Sequence, residues 1–217
     1  MLTDTSVTFD LSNVKAAYLT AEELRVAASI LYNAYHDDPL FCDIFRSEDE
    51  GYEDRLRSAI KEELHTFYNA KQPVIGLHLN ERLLAVACLI APDAAFGSGR
   101  YWHWRLRMLL TAGMFGTKQM LEKEQRIRQS IPADRFHMLS FIGVYPEYQH
   151  LGLGHVLMGA IDSVLLESPD SEGVGVYVTV PKCKAFFEDG AYELVDHCTV
   201  GSITGEVMFK PRSKISH

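Results

Sequence analysis

The sequence is poor in the features that mark several large protein classes. Its 217 residues hold four cysteines, Cys42, Cys88, Cys183 and Cys198. None stands in C-x-x-C spacing, so neither a disulfide framework nor a thiolate metal site is encoded, and the thiols are expected to be reduced. No apolar run approaches the ~20 residues that a membrane-crossing helix needs. The opening MLTDTSVTFD lacks the basic start and apolar stretch of a secretory signal. Both features point to a cytoplasmic protein with no membrane partner. Cations are also short, with 21 Lys and Arg against 29 Asp and Glu and a net charge of −8. Nucleic acid is therefore not expected as a partner, because its affinity comes from concentrated Lys and Arg. An acidic protein instead draws cationic ligands.

What is present is enough apolar material for one substantial core: 47% of residues are hydrophobic and 23% charged. Residues 1–217 are read as a single domain. The most informative stretch is Val144–Leu166, whose centre, Gln149-His150-Leu151-Gly152-Leu153-Gly154, puts two glycines at the entrance of an apolar segment. Val156, Leu157, Ala160, Ile161, Val164 and Leu165 then recur at the spacings of an amphipathic helix. Residues 136–144 before the loop read as a mostly buried strand. Strand, turn, glycine loop and helix together aim unpaired backbone N–H groups and a helix dipole at one spot, a place for phosphate. The dinucleotide fingerprint does not fit, since Leu157 stands at its third glycine, and no Gly-Lys-Ser or Gly-Lys-Thr follows to make a P-loop.

Along the rest of the chain, residues 14–19 read as a first strand. Thr20-Ala21-Glu22-Glu23 is a capping box opening a helix to about Tyr35, which His36-Asp37-Asp38-Pro39 ends. A second box at Ser47-Glu48-Asp49-Glu50 predicts a helix toward Asn69. Residues 74–79 and 82–90 are strands joined by Asn80-Glu81, a tight hairpin. A helical insertion is expected at about 92–131. It carries both tryptophans, Trp102 and Trp104, which are candidates for acceptor contact or else pack the helix onto the sheet. Strands at 174–180, 192–198 and 205–210 and a short helix at 182–189 complete an α/β chain with a mixed sheet.

Gln149, Gly152 and Gly154 fall in register with the acyl-CoA loop of the GCN5-related N-acetyltransferase (GNAT) superfamily: Arg or Gln, two residues, Gly, one residue, Gly or Ala. Val144-Tyr145-Pro146-Glu147 is similar to the strand end and turn before that loop. Lys184-Ala185-Phe186-Phe187-Glu188-Asp189-Gly190-Ala191-Tyr192-Glu193 resembles the family's second landmark, Phe-Tyr-Glu-x-x-Gly-Phe, with Ala191 in place of its Gly. The two landmarks cover residues 136–210. The resemblance implies a GNAT-like, mostly antiparallel central sheet with helices on both faces and a splayed parallel strand pair, 136–144 and 174–180. It implies acetyl-CoA as co-substrate, with no metal, held by Ile142, Gly143, Val144, Gln149, His150, Leu151, Gly152, Leu153, Gly154, His155, Cys183 and Phe187. Gly143 is expected to form a bulge that exposes its neighbours' amides.

The implied reaction is direct transfer of acetyl to the amine of a small molecule or peptide. His137 is a candidate general base on the strand before the loop, and Glu147 an alternative. The family's proton-donating Tyr corresponds to Phe187, which has no proton to give. Tyr177, Tyr192 and Cys183 are the nearby substitutes. Asp37-Asp38-Pro39-Leu40-Phe41 resembles a segment of the antibiotic-modifying members, such as puromycin acetyltransferase, and would bring Asp37 and Asp38 near a cationic acceptor. The alternative is a non-catalytic acyl-CoA-binding module that has lost its acid.

Overall fold

The computed structural model describes residues 9–93 and 125–215. Seven strands form one sheet: β1 (Lys15–Tyr18), β2 (Val74–Leu79), β3 (Arg82–Ile90), β4 (His137–Val144), β5 (Gly173–Val178), β6 (Glu193–Val200) and β7 (Ile203–Pro211). Their order is β1-β2-β3-β4-β5-β7-β6. All neighbours are antiparallel except β4 and β5. Among the described residues the helices with both ends in view are α1 (Leu24–Tyr35), α2 (Pro39–Phe45), α3 (Tyr52–Asn69), α4 (Leu153–Glu167) and α5 (Lys184–Asp189). Residues 125–130 are also helical.

The alternation of side chains along the strands divides the core in two. On one face Ile30 and Leu31 of α1 and Leu56, Ile60 and Leu64 of α3 bury against Val86, Cys88 and Phe141. On the other, Leu157, Ile161 and Leu165 of α4 bury against Ala85, Ala87, Leu139 and Val176. Each fully buried Leu or Ile contributes about 1.5–3 kcal/mol. The central strands are thus pinned from both sides, and only a local change of register can open them.

Two expectations are corrected here. The helix predicted from Ser47 begins at Tyr52, after Gly51 at φ 79°. Ahead of it the chain does not simply break at Pro39 but forms α2. The reason is Asp38, whose carboxylate accepts the N–H groups of Leu40 and Phe41, with Pro39 in the first turn where no N–H is missed. Arg46 ends α2 at φ 57°. Arg55 then donates to the carbonyls of Phe45, Arg46, Asp49 and Glu50, tying the intervening turn to α3.

The second correction concerns Gly143, which pairs regularly with Val86. The bulge lies at Ser140: Cys88 opposes Phe141 and Leu89 opposes Leu139, leaving Ser140 as the extra residue. Gly143 has a packing role instead, because a Cβ there would lie 3.0 Å from that of Ala34 and 3.2 Å from Leu31. The expected insertion at 92–131, with Trp102 and Trp104, falls mostly outside the described residues.

Candidate functional site

The parallel pair is joined only over three registers, His137 with Val174, Met138 with Gly175 and Leu139 with Val176. Beyond the Ser140 bulge β4 and β5 part company. In an antiparallel ladder both polar groups of one residue face the same neighbour, and the next residue's face the other way. Tyr145 donates to Leu84 of β3, so Ile142 and Val144 turn their N–H and C=O groups into the gap. Two contacts mark that direction. The Ile142 N–H donates to the hydroxyl of Tyr35 at 3.0 Å, and Gln149 Nε2 donates to the Val144 carbonyl at 3.2 Å.

The gap is a cavity of about 110 Å³ walled by Tyr35, Asp38, Ser140, Ile142, residues 176–180, Cys183 and Phe187. Tyr35 is anchored at the end of α1 by ring contacts to Phe41 (5.0 Å) and Phe141 (5.4 Å). Burial pushes its phenol well above the usual range, and the negative charge of Asp38 adds to this. Opposite, Asp38 spends one oxygen on capping α2 and accepts the Thr179 hydroxyl with the other at 2.5 Å. It ties the α1–α2 corner to the end of β5. Burial also raises the Cys183 thiol, which keeps its proton at neutral pH.

The glycine loop lies beyond the C-terminal end of β4. His150 at φ 61° and Gly152 at φ 86° turn the chain into α4, and Gly152 caps the helix without help from a side chain. The first helical bonds start from His155 and Val156. The N–H groups of Leu153 and Gly154 therefore precede the hydrogen-bonded turns and point out of the helix end. The two glycines have different reasons. Gly152 holds the left-handed conformation. A Cβ on Gly154 would strike the Phe186 ring at 2.8 Å, so its absence lets α5 approach α4. Leu153 is buried with only 1% exposure, and it offers a ligand its backbone alone.

Other residues singled out in the sequence fall as follows. Ile142, Cys183 and Phe187 line the gap, and Val144 stands at its mouth. Leu151 and the rings of His150 and His155 are exposed on the loop. Tyr177 also lines the gap, but its hydroxyl donates to the Cys198 carbonyl at 2.9 Å, and burial raises it to about 12. Asp37 is exposed at 97% and pairs with His36, whereas Asp38 is buried. Glu147 lies on the surface beside Arg82.

The structure places His137 and Tyr192 away from the gap. His137 sits at the closed end of the strand pair with no exposure, bonded through Nδ1 to Ser171 Oγ at 2.8 Å. Strand parity and the first register of β4 place it there, away from the splay. Burial, reinforced by Arg212, lowers it to about 4, so it is neutral at pH 7. Tyr192 is 2% exposed under α4 and α5, packed on Phe187 at 5.5 Å and outside the cavity wall.

Three polar wall residues escape the sequence reading: Tyr35, Ser140 and Thr179. For Tyr35 a signal existed, since it follows Leu31 by four on the apolar face of α1 and a buried phenol needs a partner. Ser140 and Thr179 carry no such mark.

Among the described residues no cluster of three or more His, Cys, Asp or Glu could hold a metal ion, and no helix is long and apolar enough to cross a membrane. No family model matches the sequence, and comparison by sequence finds no curated relative. Comparison by structure does. A histone acetyltransferase HPA2-related acetyltransferase from Corynebacterium glutamicum superposes with TM-score 0.68 at 13% identity, over 92% of this chain and 96% of that one. A GCN5-related N-acetyltransferase from Rhodopseudomonas palustris gives 0.53 at 13%, over 91% and 94%. The aminoglycoside acetyltransferase AAC(6′)-Ib, solved with paromomycin and acetyl-CoA, gives 0.54 at 11%, over 93% and 94%. At these identities the likeness establishes the fold: the chain has the mixed, mostly antiparallel sheet of the GNAT acetyltransferases, with its single parallel pair.

Proposed function

We propose that the protein is an acetyl-CoA-dependent N-acetyltransferase acting on the amine of a small molecule. The observation that carries this reading is the splay itself. β4 and β5 separate beyond Leu139, the Val144 N–H, which has no acceptor among the described residues, turns into the opening, and the N-terminus of the fifteen-residue α4 stands beyond the same strand end. An extended pantetheine arm could pair with β4 there as an added strand does, with its pyrophosphate on the N–H groups of residues 151–154. Gly152 fits that role, since a side chain at φ 86° would be strained just where the phosphates must approach. Acetyl-CoA supplies the activated acetyl group. The chain's own residues orient it, exclude water and manage protons.

Among the described residues the one carboxylate on the wall of the gap is Asp38. It is buried and already a hydrogen-bond acceptor for Thr179, and it would hold a cationic amine by a charge-assisted bond. That supports an amine acceptor, as does the aminoglycoside held by the structurally similar AAC(6′)-Ib. Within the GNAT enzymes the segment from Asp37 to Phe41 favours the antibiotic-modifying members.

One observation favours a second reading. Phe187 stands where the family has its acid, and Tyr177 spends its proton on a backbone carbonyl. An acyl-CoA-binding module without turnover would look the same at these two positions. Release of thiol from acetyl-CoA across a panel of amines separates the readings: thiol release above the uncatalysed rate supports the enzyme, and tight coenzyme A binding with none supports the module.

A further inference from the structure

We propose that the phenol of Tyr35, on α1, supplies the proton to the departing coenzyme A thiolate, in place of the acid missing at Phe187. The proposal rests on the acetyltransferase reading above.

Position comes first. Tyr35 Oη lies 3.0 Å from the Ile142 nitrogen. Ile142 is the residue nearest the Ser140 bulge whose polar groups face the gap. Val144 lies nearer the glycine loop, so an arm running inward from that loop passes Val144 and reaches Ile142 with its far end, the thioester. Tyr35 and Phe187 share the cavity wall. An acid lost from one side of the gap thus has a hydroxyl within the same space.

Proton supply comes next. A phenol has one proton and accepts through lone pairs. The Ile142 amide occupies an acceptor position and leaves the O–H to point elsewhere. Among the described residues the O–H meets no acceptor, whereas the Tyr177 hydroxyl is engaged with Cys198. Burial and the nearby Asp38 charge keep the Tyr35 phenol protonated at neutral pH. The ring contacts to Phe41 and Phe141 fix its direction.

The step balances without another reagent. The attacking amine is in its neutral form: its nitrogen bonds to the carbonyl carbon, the C–S bond breaks with its electron pair on sulfur, and the Tyr35 proton passes to that sulfur. The phenolate, held by the Ile142 N–H, takes up the proton shed by the attacking nitrogen. Amide and free thiol are the products, and the phenol is restored.

Tyr35→Phe keeps the ring packing and removes only the hydroxyl. Acetyl-transfer kcat is expected to fall about 10²-fold, the loss typical of a missing general acid, with the KM for acetyl-CoA little changed. Adding Phe187→Tyr to that variant is expected to recover about tenfold, because the family's donor position is refilled. A merely structural role would give no such rescue. Calorimetry supplies a readout without turnover: the native protein should bind coenzyme A more tightly than desulfo-coenzyme A, and Tyr35→Phe should erase that preference. A kcat near the native value in a folded Tyr35→Phe protein overturns the proposal, as does a loss in Cys183→Ala that Tyr35→Phe does not share. If the native protein binds coenzyme A yet releases no thiol with any amine, the enzyme reading fails, and the proton-donor role falls with it.

Discussion

The two ends of the β4–β5 pair use the same backbone and similar polar residues to opposite effect. At the closed end His137, Ser171 and Arg212 are tied to one another and to backbone carbonyls: Ser171 Oγ bonds His137 and the Gly173 carbonyl, and Arg212 donates to those of Leu165, Ser168 and Ser171. At the splayed end the Ser140 bulge breaks the register, and the Ile142 and Val144 amides have no strand partner. A polar group buried in a continuous sheet serves stability, and one exposed by a register break is available to a ligand. The comparison predicts that closed-end substitutions alter stability alone and open-end substitutions alter ligand affinity first.

The largest effect is expected at the closed end, with acid. The folded pKa of His137 is depressed to about 4 from an ordinary 6.5, chiefly by burial and then by Arg212. The unfolded chain takes up this proton near pH 6.5, whereas the folded protein resists it until about pH 4. The stability is therefore fully present above pH 6.5 and is lost as pH falls toward 4, by about 3 kcal/mol. Urea unfolding at pH 7 and pH 4.5 should show that loss in the native protein and a smaller one in His137→Phe, with coenzyme A affinity at pH 7 the same in both. An equal acid sensitivity in the two proteins would remove His137 as its source.

At the open end Gly152→Val should lower coenzyme A affinity by about 10²-fold, because it costs about 1–2 kcal/mol of left-handed backbone strain and also crowds the phosphate site. Gly154→Val is the less direct probe, since it collides with Phe186 and disturbs α5. Calorimetry with coenzyme A and a thermal melt of each variant separate the two effects. Unchanged affinity in Gly152→Val would end the comparison, since the loop would then be structural too.

The same contrast separates what local sequence encodes from what only the folded sheet decides. The hairpin at Asn80-Glu81, the strands flanking the glycine loop and the amphipathic α4 follow from local pattern, and the structure has them within a residue or two. Both glycines stand out in the sequence, yet the reason for Gly154 depends on a ring 32 residues further along the chain, which periodicity cannot see. Glycine often marks a bulge, and the sequence points to Gly143; the bulge lies at Ser140, because register is set by the pairing with β3. His137 has the residue type of a base on the right strand, but a strand has two ends, and only the three-dimensional pairing tells which one opens. Tyr35 and Thr179 are 144 residues apart and meet the same gap only through the sheet order.

A smaller effect is expected at Asp38, where two roles coincide. Asp38→Asn keeps an oxygen for capping α2 and removes the charge. Its stability should stay within about 1 kcal/mol of native, because Asn is as good an N-cap as Asp, while the KM for a cationic amine rises. Asp38→Ala loses the cap as well and should cost about 0.5–2 kcal/mol. Steady-state kinetics with a cationic and a neutral amine, set beside melts of both variants, distinguish charge from cap. Equal losses for the two amines would leave Asp38 a cap and a tie to Thr179 only.

The smallest effect is expected at Tyr192. Its ring is packed between Phe187 at 5.5 Å and the Lys210 ammonium at 6.0 Å, and its hydroxyl is buried without a hydrogen-bond partner among the described residues. A buried hydroxyl left without a partner costs about 1–3 kcal/mol, part of which is recovered when the group is removed and the ring kept. Tyr192→Phe should therefore leave the protein as stable or stabilise it by up to about 1 kcal/mol. Acetyl transfer should be unchanged, since the hydroxyl faces the α4 side of the sheet and not the gap. Thermal melts and thiol-release kinetics on the same preparation check both halves. A marked loss of turnover without loss of stability would return Tyr192 to the list of proton donors and would count against Tyr35. A loss of stability would mean that the hydroxyl has found a partner in solution, with Asp162, the acceptor of the Lys210 ammonium at 2.7 Å, the nearest carboxylate to that ring's cation.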